Sequence, residues 1–123
     1  MGNRAVITFS TAPKTQSLYL HWNGGRASVE GFLEAARQTN QTTIPAIAEL
    51  VAAHFFETRV NESTVYTQPY ENADTDNGDN GVYVLDTGLN IVERLFARSE
   101  EIDADKTAEI TERIVESFNA AKK

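Results

Sequence analysis

The chain has 123 residues, no cysteine and a formal net charge of −7. That length suits one domain with a core large enough to fold unaided, and the lack of cysteine excludes disulfides, thiolate zinc sites and cysteine nucleophiles. No apolar run approaches the roughly 20 residues needed to span a bilayer.

Met1-Gly2-Asn3-Arg4 leads into a short β-like run rather than a signal peptide, and Val6 stands where a myristoylation motif wants Ser or Thr. A cytoplasmic protein with no membrane contact is expected. Arg4 to Ser10 alternates Ala5, Ile7 and Phe9 against Val6 and Thr8, and predicts a first strand. Pro13 supplies a turn in "TAPK". Ser17 to Trp22 predicts a second strand, with Leu18, Leu20 and Trp22 on one face and Tyr19 and His21 on the other. On that pattern Trp22 anchors the core, while Tyr19 and His21 face away from it. Asn23-Gly24-Gly25 tolerates positive φ and stops the strand.

Ser28 suits an N-cap, Glu30 a first turn, and Val29, Phe32, Leu33 and Ala36 form a helical stripe. Gly31 weakens that helix and marks a close contact. Thr43 and Pro45 open a second helix striped by Ile44, Ile47, Ala48, Val51 and Phe55, with His54 at its boundary. Thr64 to Gln68 predicts a short strand ending at Pro69. Residues 71–81, "ENADTDNGDNG", predict a solvated loop. A hairpin follows: strand Val82 to Asp86, a turn at Thr87-Gly88, and strand Leu89 to Phe96. Asp103 caps a last helix faced by Ile110, Ile114, Phe118 and Ala121, with Glu109 and Arg113 spaced for an ion pair. The whole predicts a single α+β domain over residues 1–123. Its antiparallel sheet of four to five strands carries three helices packed mainly on one face.

Residues 1–70 carry five basic and five acidic side chains, whereas residues 71–123 carry thirteen acids against six bases. With no basic patch, direct nucleic-acid binding is not expected. A lopsided acidic surface suits a protein partner with a basic surface, and also aids solubility. Two histidines on different elements make no metal-ligand motif. The 71–81 loop resembles a calcium loop only in its acids, because Leu85 stands where a bidentate Glu is required. No nucleophile elbow occurs, so neither cofactor nor metal is expected. Tyr19, His21, Tyr66, Tyr70 and Tyr83 lie on or beside strands and form a candidate aromatic surface for a partner, joined by Asn23 and Arg26 at the turn. The same Tyr19, His21, Asn23 and Arg26 define the alternative, a small enzyme or ligand site. A homo-oligomer through an uncovered sheet face or an edge strand is a third arrangement.

"GNRAVIT" at 2–8, "LYLHWNGGR" at 18–26 with "SVEGFL" at 28–33, and "DNGVYVL" at 79–85 resemble an uncharacterised family of small bacteriophage and mobile-element proteins. The resemblance implies a bacterial host cytoplasm and carries no catalytic residues to transfer. Many small acidic phage proteins block host defence by occupying a nuclease or a nucleic-acid-binding surface, anti-CRISPR proteins among them. By that analogy the expected function is non-enzymatic binding that inhibits a host defence or nucleic-acid-handling factor.

Overall fold

In the computed structural model, which describes residues 3–11, 16–98 and 100–122, alternation along the strands decides the layering. The elements are β1 (Ala5–Phe9), β2 (Gln16–Leu20), α1 (Arg26–Gln38), α2 (Ile44–His54), β3 (Val65–Pro69), β4 (Val82–Leu85), β5 (Ile91–Leu95) and α3 (Ala104–Ala121). The turn assigned to Pro13 lies outside the described residues, as does Met1-Gly2. The strands form one sheet in the order β3-β2-β1-β4-β5. Ala5, Ile7, Leu18, Leu20, Tyr83 and Leu85 point to one face, where they meet Phe32, Leu33, Ile47, Val51, Ile110 and Ile114 in a single core. This is the expected α+β arrangement with the helices on one side.

The sheet is mixed, not antiparallel. β1 pairs antiparallel with β2 and parallel with β4 (Val6 opposite Val82, Thr8 opposite Val84). The physical reason is a crossover. β3 runs antiparallel to β2, so β3 and β4 point the same way, and residues 70–81 must return across a sheet face to connect them. They cross the face that lacks helices. There Tyr70 and Ala73 pack on Val6, Val82 and Val84, each no more than 1% exposed. The segment is therefore an ordered cover, not a solvated loop. Asn77, 4% exposed, holds it together. Its Oδ1 accepts from the Asp79 and Gly81 N–H groups at 3.1 and 3.0 Å, and its Nδ2 donates to the Asp74 carbonyl at 3.0 Å.

Several local expectations are corrected. α1 starts at Arg26 behind Gly25, which makes no side-chain cap bond, and Ser28 is buried inside the helix. Leu89 belongs to the β4–β5 turn rather than to a strand. It sits at φ 64° and buries its side chain, while Asp86 Oδ1 accepts from Gly88 and Asn90 N–H at 2.9 Å each. Arg113 lies 4.7 Å over the Phe55 ring and donates to the Phe55 carbonyl instead of pairing with Glu109. With α1 starting at Arg26, Glu30 falls beyond its first turn, and Ala121, expected on the buried face of α3, is exposed. The other two helix starts are as expected. Thr43 Oγ1 accepts from Ala46 N–H and Asp103 Oδ1 from Lys106 N–H, as N-caps should. Gly31 marks the crossing of α1 and α3, where an added Cβ would come within 2.8 Å of Ile110 Cγ2.

Arg4 ties the crossover to β1. Its Nε donates to Asp79 Oδ2 at 2.8 Å and its backbone N–H to the same oxygen at 3.1 Å. Those two bonds, the guanidinium's first, hold the Asp79 carboxyl below its ordinary value of 3.8. A depressed carboxyl stabilises the fold above that ordinary value, and the increment disappears as pH falls through the lowered one. Asp79→Asn is therefore expected to lower the thermal midpoint at pH 7, with the gap to the parent closing on acidification below about pH 4. A gap of constant size across a pH 7 to pH 2 melting series would contradict this.

Candidate functional site

β2 ends at Leu20 because the chain bends through His21 and Trp22. The backbone there is fastened on both sides: Asn3 N–H donates to the His21 carbonyl at 2.9 Å, and His21 N–H to the Thr64 carbonyl at 3.0 Å. Asn23 follows at φ 57°, a conformation that asparagine tolerates better than most residues. Strand alternation thus stops before Trp22. The indole is not a core anchor; it is 42% exposed. It meets the His21 ring edge-on, with centroids 5.0 Å apart.

The contact extends along the helix-free face. Tyr19 lies 6.2 Å from His21 and 6.2 Å from Tyr66, the residue opposite it on β3. The Tyr19 hydroxyl is 3.0 Å from His21 Nδ1, so the phenol donates when that nitrogen is unprotonated. Burial raises the Tyr19 phenol above its ordinary range, with Arg4 opposing and Asp74 and Asp79 assisting. Those carboxylates belong to the crossover: Asp79 is paired with Arg4, whereas Asp74 is exposed. Four partly exposed aromatic rings therefore lie near one exposed carboxylate, Asp74. Ring faces and carboxylates together are what a guanidinium or ammonium group recognises.

The other expected site residues go elsewhere. Tyr83 is fully buried on the helix side and belongs to no surface. Its hydroxyl donates to the Gly24 carbonyl at 2.7 Å, and Arg94 covers its ring at 3.7 Å. Burial pushes this phenol up to about 12. Its place in β4 opposite Arg94, on the face of Leu85, follows from strand alternation, which runs out of phase with Tyr19. Arg26 is engaged by Glu30 and by Glu100, a carboxylate it shares with Arg94. Burial acts to raise Glu100, but the two guanidinium groups outweigh it and hold the carboxyl below its ordinary value. Asn23 lines a depression on the helix side with Phe55, Lys106 and Arg113. Tyr19 and His21 thus share one face, whereas Asn23 and Arg26 belong to the other side of the molecule. The four do not converge on one cavity.

His54 is the boundary histidine expected from its helix position. Its Nδ1 is 2.8 Å from Ser117 Oγ and its ring meets Phe118 edge-on. Among the described residues no three His, Asp or Glu side chains gather in a way that would hold a metal ion, and no helix is long and apolar enough to cross a membrane. The candidate site residue that strand alternation alone misplaces is Trp22. The signal for it was the Asn-Gly-Gly stretch directly after it, which ends regular alternation one residue earlier than the apolar pattern suggests. No protein-family model, curated protein or solved structure matches this chain, so its function is read from geometry.

Proposed function

We propose that this chain acts by protein–protein binding, docking the Tyr19–His21–Trp22–Tyr66 patch and the neighbouring Asp74 carboxylate onto a basic surface of a partner. The observation that carries the reading is the exposed Trp22, 42% accessible and in contact with a continuous row of rings. Tryptophan and tyrosine supply large rigid area with a polar tip, and they dominate measured binding energies at interfaces. Arginine from the partner fits between such rings and the Asp74 carboxylate. The resemblance to phage and mobile-element proteins directs the search to host defence and nucleic-acid-handling factors. Their nucleic-acid surfaces are basic, and an acidic protein competes for them.

The test is capture from bacterial lysate by the immobilised chain and by its Trp22→Ala/Tyr66→Ala variant, eluted with a salt gradient. A specific partner is expected to bind the parent and to leave as salt rises. Its affinity for the variant should fall about tenfold or more, while unfolding free energy changes by about 1 kcal/mol or less because both side chains are partly exposed. Equal retention by parent and variant would remove the patch from the interface. Capture of nothing salt-sensitive would remove the binding function itself.

A further inference from the structure

α3 packs along α1, and between the two helices runs an open groove of about 690 Å³. Its floor is apolar: Ala104 and Ala108 are exposed on α3, Val115 is half-buried, and Ile102 beside them is 73% exposed. Its rims are acidic. Glu30 and Glu34 stand on the α1 side, and Glu112 and Glu116 on the α3 side. One base, Arg37, lines the groove, and it is bonded to Glu34 at 2.8 Å. Among the described residues Glu112 and Glu116 have no ion-pair partner. This arrangement belongs to the helical layer, on the opposite side of the sheet from the aromatic patch.

We propose that this groove is a second docking surface, and that it takes an amphipathic helix from a partner, apolar along one stripe and Lys/Arg-bearing on both flanks. Charge complementarity selects the occupant. Glu30 and Glu34 are already paired with Arg26 and Arg37, but the unpaired Glu112 and Glu116 leave the groove acidic and disfavour a second copy of this chain, whose own net charge is −7. Groove shape selects a helix. Ala104, Ala108 and Thr111 recur at a spacing of four and then three residues on one face of α3. Small side chains at that spacing let a third helix approach to the 8–10 Å usual for packed pairs. The stretch from Ala104 to Val115 is roughly 17 Å long at 1.5 Å per residue, enough for about three turns of partner helix.

The probe is a fluorescent, roughly 18-residue peptide with Leu and Ala on one face and Lys on both flanks. Its binding to the full chain is followed by anisotropy and its folding by circular dichroism. The expected result is saturable binding with a gain of helix, weakened by salt. Glu112→Lys/Glu116→Lys should weaken it about tenfold or more, whereas Glu71→Lys/Asp76→Lys, an identical change of charge elsewhere, should weaken it less than about threefold. Ala108→Trp, which fills the floor without touching a charge, should also weaken it, and Trp22→Ala/Tyr66→Ala should leave it unchanged. Equal losses from the two charge-reversal pairs would mean non-specific attraction and overturn the proposal. So would binding without helix formation, or indifference to Ala108→Trp.

Discussion

Gly81→Ala is expected to cost about 4 kcal/mol or more, enough to unfold a domain of ordinary stability. Gly81 sits at φ 64°, directly before β4, where the crossover delivers its chain to the sheet. A methyl group there would overlap the Leu95 carbonyl oxygen and lie 2.6 Å from the Phe96 carbonyl carbon. Both are backbone atoms of the adjacent β5 edge, so relief requires the β4–β5 pair to separate. Gly81 is also bonded through its own backbone: its N–H donates to Asn77 Oδ1 at 3.0 Å and its carbonyl accepts from Val6 N–H at 2.8 Å. Moving it therefore breaks the start of the parallel β1–β4 ladder as well. Gly78→Ala is the control. It too has positive φ, at 81°, but the nearest atom to an added Cβ is the tip of Arg4 at 3.6 Å. That variant should lose only the backbone strain, about 1–2 kcal/mol. Urea titrations of the pair separate the two effects. Similar midpoints for both variants would mean that the β4–β5 backbone yields where close packing says it should not.

That contrast identifies what could be read in advance. β1 and β2 follow directly from Ala5-Ile7 and Leu18-Leu20 alternation, and α2 and α3 from Thr43 and Asp103 as caps on striped helices. These are local signals, and local physics suffices for them. Parallel pairing of β1 with β4 is not local. Val82-Tyr83-Val84-Leu85 buries all four residues, and a run apolar on both faces is the mark of a strand covered on both sides. A hairpin reading of Val82 to Phe96 was right about the β4–β5 pair, yet silent about β4's other neighbour. The acidic composition of 71–81 hid the same fact. Asn77 and Asn80 are buried because they satisfy backbone groups there, a role invisible in a composition dominated by exposed acids. The candidate site shared this limit. Tyr19, His21 and Tyr66 were legible because period-two alternation fixes a face. Trp22 escapes alternation because the chain bends at His21 and Trp22. Tyr83 is buried because its phase on β4, shared with Leu85, turns it toward the helices.

Phe32→Ala is expected to cost about 3–4 kcal/mol, in the lower part of the range for a buried aromatic. Phe32 is 1% exposed at the middle of α1 and meets Phe55 edge-on at 5.0 Å, with Phe56 at 6.2 Å. Losing the ring removes its transfer free energy and opens a cavity between helices and sheet. The cavity term is softened by what borders it. Phe55 and Phe56 are half-buried and follow the end of α2, next to Glu57 at φ 53°. The segment is fastened to the last turn of α2, where Phe55 and Phe56 N–H donate to the Val51 carbonyl and Thr58 N–H to that of Ala52; lying outside the sheet ladders, it can settle inward more readily than the strands opposite. Phe32→Leu, which keeps most of the volume, should cost about 1–1.5 kcal/mol. Neither substitution alters Trp22, Tyr66 or the groove carboxylates. Both variants should therefore bind the Lys-flanked peptide with parental affinity wherever they are folded. Phe32 lies on the helix turn directly after Gly31, where α3 crosses. Stability loss accompanied by loss of peptide binding would mean that α3 leaves α1 when the core loosens, making the groove a property of the packed core and not of α3 alone.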